Sequence, residues 1–150
     1  MTNLIEVKTA GLAGEALGWA VGMAEGLALH LEPPHYGNGW RVFAIYRGEA
    51  TERCERYNPW ESWTLGGPLI ERIDPEEQRL PKVLGGGRCA EVWIEHGDGD
   101  ARAGYGRGES RLIAATRAYV AAKLGDTVQV PKELLIDTKK EATWATSTRS

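Results

Sequence analysis

Glycine takes eight of the 24 positions from 85 to 108, in a 150-residue chain that holds nineteen glycines in all. A backbone this bare of side chains takes its shape from turns, bulges and close approach of one main chain to another. The constraint is sharper because Leu, Ile, Val and Phe together supply only thirty residues. That lies near the compositional edge at which packed cores give way to disorder. Six tryptophans stand against a single phenylalanine, so Trp, Tyr and Ala must carry much of the burial.

Charge and hydropathy exclude several classes. The chain has 18 basic and 21 acidic residues, a net charge of -3, and no basic block. This balance argues against dedicated nucleic-acid binding. No stretch approaches the roughly 18 apolar residues of a membrane span, so no membrane partner is expected. The N-terminal MTNLIEVKTAG lacks a basic segment followed by an apolar run. No secretion signal is therefore expected, and Cys54 and Cys89 read as two reduced thiols, with a lone disulfide between them as the alternative.

Periodicity outlines the elements. Residues 12–26 predict an amphipathic helix with Leu12, Ala16, Trp19, Ala20, Met23 and Leu27 recurring at three- and four-residue steps. Gly18 and Gly22 on it imply close approach to a neighbouring element, and Gly26 ends it. Residues 27–31 and 40–47 predict two strands joined by the turn residues PPHYGNG. The second strand is apolar on both faces, which implies cover on both sides. Residues 48–56 read as an exposed charged loop or short helical turn. Pro59, Gly66, Gly67 and Pro68 argue against long regular structure in the next segment, though LIERI could open a short strand or helix. Residues 74–88 read as polar and irregular. Residues 89–96 predict a strand, GDGD a hairpin turn, and residues 101–106 the return strand.

Residues 110–125 carry the clearest helix pattern. Ser110 is placed as N-cap, Leu112, Thr116, Tyr119, Val120 and Leu124 form the stripe, and Gly125 stands at the exit. Residues 128–136 read as an extended arm. Together these elements predict an α+β fold in which an N-terminal and a C-terminal helix pack a small antiparallel sheet. The expected domain is 1–136, with 137–150 a flexible tail rich in Ser and Thr.

Three segments together resemble the NinX-like phage proteins. LAGEALGWAVGMAEG is similar to that family's opening helix. YNPWESWTLGGPLIE is similar to its Tyr-x-Pro-…-Trp-x-x-Gly-Gly-Pro-Leu-Ile-Glu motif. RLIAATRAYVAAKLGDTVQVPKELL is similar to its closing helix and Val-Pro-x-x-Leu arm. The resemblance covers roughly residues 12–135. Asn58 and Trp60 stand where small hydroxyl residues are usual, and the loop from Arg47 to Arg56 is longer than typical. The resemblance implies a phage or prophage accessory protein made in the bacterial cytoplasm, and it brings no mechanism with it.

Two binding-site candidates emerge from the residues themselves. Tyr57, Asn58, Trp60, Trp63, Gly66 and Gly67 combine rings that can stack on a base with glycines that let backbone N–H groups approach an anion. The alternative reading is that Tyr57 and Trp63 simply close a core short of aliphatic residues. Arg102, Tyr105 and Arg107, the last two interleaved with Gly104, Gly106 and Gly108, offer two guanidinium groups for a phosphate or carboxylate. The alternative there is a twisted edge strand with solvated arginines. GYGRG follows a hairpin and lacks the spacing of a dinucleotide fingerprint.

No catalytic set assembles from the sequence. His30, His35 and His96 are scattered. Glu95, His96, Asp98 and Asp100 lack the spacing of a calcium or zinc site, and neither Ser62 nor Ser110 lies in a nucleophile elbow. No cofactor or metal is expected. The sequence reading is a non-enzymatic accessory protein that sequesters a small anionic or nucleotide-like ligand, such as a host immune signal. Trp60 or Trp63 would stack on the base and Arg102 or Arg107 would pair with phosphate. Its alternatives are an inhibitor that captures a host defence or regulatory protein, a small nucleotide-processing enzyme, and a homo-oligomer with mainly structural duties.

Overall fold

The computed structural model describes residues 3–135. The tail expected at 137–150 lies outside them. Among the described residues the elements follow one another as β1 (Leu4–Lys8), α1 (Gly14–Ala24), β2 (Ala28–Glu32), β3 (Arg41–Arg47), β4 (Glu52–Arg56), α2 (Trp63–Ile73), β5 (Glu76–Arg79), β6 (Arg88–Glu95), β7 (Ala101–Gly108), α3 (Arg111–Leu124) and β8 (Thr127–Pro131). The class is α+β, and every strand pair is antiparallel. The strands divide into three small sheets, ordered β1-β8, β2-β3-β4 and β5-β6-β7.

Helix α3 is the hub. One side, with Tyr119 and Val120, joins the main core of Leu12, Leu17, Val21, Val42 and Val130. The other side, with Ala114, Ala118 and Ala122, packs on β6 and β7. Here the glycine-rich hairpin finds its reason. A Cβ on Gly104 would collide with the Ala118 carbonyl and the Ala122 backbone, and one on Gly106 with the Ala114 carbonyl and the Ala118 amide. Strand and helix therefore meet main chain to main chain, which a side chain on either glycine would prevent. Ser110 caps α3 as expected, its hydroxyl accepting from the Ile113 amide at 3.2 Å. Leu124 departs from the expected stripe and is 39% exposed.

Helix α1 shows the same device. Gly18 lies against the Trp60 ring and the Tyr57 carbonyl, and Gly22 lies against Leu29. Leu12, Ala16 and Ala20 are buried as their spacing predicts, joined by Leu17 and Val21, while Met23 is half exposed. The N-terminal β1 and the expected arm pair as β1-β8, from Leu4 opposite Pro131 to Lys8 opposite Thr127. Thr9 fastens this ribbon to the end of α3, donating its hydroxyl to the Gly125 carbonyl at 2.7 Å.

Three segments differ from expectation. Residues 52–56 form a strand, not a loop or helical turn. Their charges are satisfied across the ladder, where Arg47 faces Glu52 at 3.2 Å and Arg53 lies over the Tyr46 ring. Residues 63–73 form an eleven-residue helix despite Pro68. The carbonyl that Pro68 leaves without a donor belongs to Thr64, and both residues are exposed, so water can meet it. Residues 76–79 form β5, with Glu77 held to Arg111 of α3 through two hydrogen bonds.

Candidate ligand-binding cleft

An open cleft of about 800 Å³ lies where α1 begins. Its walls are the start of α1 (Ala13, Gly14, Glu15), the β2–β3 connection (Pro34 to Trp40), Arg41, Arg56 and Leu134. Helix α1 has no side-chain cap at Ala13. The first turn, which carries Glu15, and the positive end of the helix dipole therefore belong to the cleft wall.

The connection is closed at its tip by a two-residue turn. His35 and Asn38 exchange backbone hydrogen bonds at 3.3 and 3.0 Å, with Tyr36 and Gly37 between them at φ 49 and 82. A tyrosine at positive φ is unusual outside glycine and asparagine. The turn holds the Tyr36 ring 93% exposed, beside the His35 ring at a centroid distance of 4.0 Å.

Two guanidinium groups define the electrostatics. Arg56 is committed. Its Nη1 and Nη2 donate to the two oxygens of Glu15 at 2.7 and 2.5 Å, and Glu15 Oε1 also accepts the Val42 amide at 2.7 Å. Both side chains are largely buried, at 30% and 20% exposure. Arg41 is the uncommitted one. Its Nε is buried with no hydrogen-bond partner, and its Cζ lies 5.6 Å over the Phe43 ring. A buried N–H without a partner costs roughly 1–3 kcal/mol, a cost that an anion accepting from it would remove.

The residues singled out from sequence fall in several places. Tyr57 and Trp60 are 6% and 9% exposed and belong to the main core. Burial, with Glu25 nearby, pushes the Tyr57 phenol above its ordinary range. Trp60 also supports the cleft from behind, because Arg56 lies over its ring at 5.7 Å. Asn58 bonds to Glu61 at 3.0 Å. Gly66 and Gly67 are inside α2, where a Cβ on Gly66 would collide with the Pro59 carbonyl and Leu112. Trp63 opens α2 and is 52% exposed, with Arg111 over its ring at 5.2 Å.

The hairpin residues lie on another sheet, and none of them lines the cleft. Arg102 pairs loosely with Asp98 at 3.8 Å, and Arg107 donates to the Leu84 carbonyl at 2.6 Å. Tyr105 is 69% exposed and stands opposite Glu91 across the ladder. The reading of residues 33–39 as turn chemistry alone missed the cleft. The available signal was a turn carrying His, Tyr and Trp just ahead of an arginine. Among the described residues, no three His, Cys, Asp or Glu side chains converge to hold a metal ion, and no helix is long and apolar enough to cross a membrane.

Among the described residues, fold and cleft together define a small α+β protein with three antiparallel sheets around a central helix and an open polar-aromatic cleft. Residues 8–123 match the family described as bacteriophage P22 NinX, and the chain belongs to that family. It is accordingly a phage accessory protein. No curated protein matches it.

Proposed function

We propose that the protein acts by binding, and that its ligand is a small anionic molecule carrying a planar ring, such as a nucleotide, sequestered in the cleft at the start of α1. The observation that carries this reading is that the unpartnered Arg41 Nε, the uncapped α1 terminus and the exposed Tyr36 belong to residues lining one cleft. Helix N-termini with adjacent guanidinium groups suit phosphate or carboxylate, and an exposed ring suits stacking. The Glu15–Arg56 pair has a positioning role, fixing α1 against β3 and β4.

Calorimetric titration with cyclic and linear nucleotides tests this. Saturable binding that releases the nucleotide unchanged, and that weakens at least tenfold in Arg41→Ala, supports it. A chemically altered nucleotide would convert the reading to an enzyme. Absence of binding across the panel would sink it.

Capture of a host protein is the second reading, and one observation favours it. Trp63 and Arg111 stack on one another at the surface, and these residue types dominate interface hot spots. Recovery of one host protein at stoichiometric level, lost in Trp63→Ala, would support it over the cleft.

A further inference from the structure

The β5–β6 connection, residues 80–87, carries Val83 and Leu84 at its tip, 91% and 60% exposed. Side chains this far out contribute little to the core, yet the tip is well formed. Lys82–Leu84 make a single helical turn, and the Leu80 amide donates to the Gly87 carbonyl at 2.9 Å. The Arg107 guanidinium braces the turn from β7, donating to the Leu84 carbonyl at 2.6 Å. A tip held in this way loses little conformational freedom when it is covered.

The strand register sorts the charges behind the tip into two levels. The first is basic. Arg79 stands directly opposite Arg88, Arg107 lies one residue further along beside Cys89, and Lys82 is on the loop itself. Like charges opposite one another are unfavourable in a ladder, yet Arg79, Lys82 and Arg88 make no ion pair among the described residues. Glu109, just past the end of β7, is an acid near this level, and its charge acts on Arg117 of α3. The second level is acidic. Glu77, Glu76 and Glu91 follow two to three residues along the strands, roughly 7–10 Å from the first level. Apolar tip, cations and carboxylates thus succeed one another along the strand direction.

This order is the one that a lipid interface requires. We propose that this end of the protein docks peripherally on an anionic membrane surface. Val83 and Leu84 enter the boundary between headgroups and acyl chains, and Arg79, Lys82, Arg88 and Arg107 meet the lipid phosphates. The carboxylates behind them are repelled by the same phosphates and limit the depth. An acidic protein could also meet the cations, but it demands no sorting of apolar, basic and acidic groups along one axis. A single-stranded nucleic acid would find no ring at the tip on which to stack a base. The expectation of no membrane partner rests on the lack of a spanning stretch, which a peripheral contact does not need.

A small apolar tip and a basic collar together give reversible attachment. Each Lys or Arg near an anionic leaflet tightens binding about fivefold. Half-saturation is expected on the order of 0.1–1 mM accessible lipid.

Co-sedimentation of the full chain with sucrose-loaded vesicles tests the proposal. Vesicles of phosphatidylglycerol and phosphatidylcholine in equal parts should bind it, and pure phosphatidylcholine at least tenfold more weakly. Raising the salt from about 0.05 to about 0.5 M should release it. Arg79→Gln combined with Arg88→Gln should weaken binding at least tenfold, and so should Val83→Ser combined with Leu84→Ser. Circular dichroism checks that each variant is folded, and Arg79→Gln with Lys82→Gln replaces the arginine pair if Arg88→Gln does not fold. No binding to the anionic vesicles overturns the proposal, as does binding that either pair of substitutions leaves unchanged. Tighter binding to polyglutamate or to oligo-dT than to the vesicles also overturns it, in favour of an acidic protein or a nucleic acid.

Discussion

Gly104 of β7 lies against the carbonyl oxygen of Ala118 in α3, with no room for a side chain between them. Gly106 meets the Ala114 carbonyl in the same way one pleat further along. This contact joins the hairpin to the helix that also holds the main core, so its loss should be felt globally. Gly104→Ala or Gly106→Ala must push main chain away from main chain, which no rotamer change can relieve. The expected cost is about 3 kcal/mol or more, at the upper end for overpacking. Gly97→Ala is the control, because a Cβ there meets nothing within 4 Å. It should change stability by less than about 0.5 kcal/mol. Urea midpoints of the three variants check the contrast.

Glu25 at the end of α1 gives the fold an acid-sensitive joint. It accepts from Arg72 at 2.5 Å and from the Tyr119 hydroxyl at 2.6 Å, tying α1 to α2 and α3. Burial raises its pKa, but the hydrogen bonds from Arg72 and Tyr119 outweigh burial and hold it below the ordinary 4.5. A depressed folded-state value stabilises the fold above the unfolded value, and the benefit is lost as pH falls through the folded one. The stability difference between wild type and Glu25→Gln should therefore be constant near neutrality and shrink below about pH 4.5. Urea titrations at neutral and acidic pH measure it. A difference that does not change with pH would rule out the ionised joint.

Tyr57 and Tyr119 set the alkaline limit. Burial first, and then the negative charge of Glu25, pushes both phenols well above their ordinary 10. Glu25 also accepts the Tyr119 proton in a hydrogen bond. A raised folded-state value gives stability that is full below the unfolded pKa and lost as pH rises above it. Two of the five tyrosines should therefore ionise only as the circular dichroism signal collapses. Ultraviolet absorbance titration followed in parallel tests this. Reversible ionisation of all five in the folded chain would contradict it.

The Glu15–Arg56 pair links α1 to β4, and Glu15 also satisfies the Val42 amide of β3. Removing either partner leaves a half-buried charge, and Glu15→Ala also leaves an amide unpaired. Each single substitution should cost about 1–3 kcal/mol. The double variant should cost less than the sum, giving a measurable coupling in a double-mutant cycle. Additive losses would mean the pair does not act as one unit.

The sequence speaks most clearly where one side chain pattern meets one environment. Residues 89–96 alternate cleanly because one face meets α3 and the other meets water. Ser110 and Gly125 bracket α3 because the first-turn amides need an acceptor and the exit takes a positive φ. Periodicity fails for β4, where Glu52, Arg53, Cys54 and Glu55 are exposed and only Arg56 turns inward, to Glu15 of α1. It fails also for α2, since Pro68 removes a hydrogen bond only where water is at hand. The glycines of β7 were visible as a cluster, but their partner was not, because nothing in a glycine names the helix pressed against it. The cleft was hidden for a related reason. Its residues come from α1, the β2–β3 turn, the start of β3 and β4, and its defining feature is an arginine nitrogen left without a partner.

Trp60 and Trp63 are three residues apart and have opposite surroundings. Trp60 is 9% exposed, with its ring between Gly18 of α1 and the Arg56 guanidinium. Trp63 is 52% exposed and touches Arg111 from the outside. Trp60→Ala opens a cavity at the joint of α1 and the cleft floor and should cost about 3–5 kcal/mol. Trp63→Ala loses an exposed cation–π contact worth about 0.5–1 kcal/mol. Thermal denaturation of the two variants separates them, and comparable losses would contradict this assignment. The same pair also bears on the two functional readings. Trp63→Ala leaves the cleft intact, so nucleotide binding should survive it while capture of a host protein should not. Trp60→Ala removes the support beneath Arg56. It should weaken nucleotide binding even at temperatures where the variant is still folded.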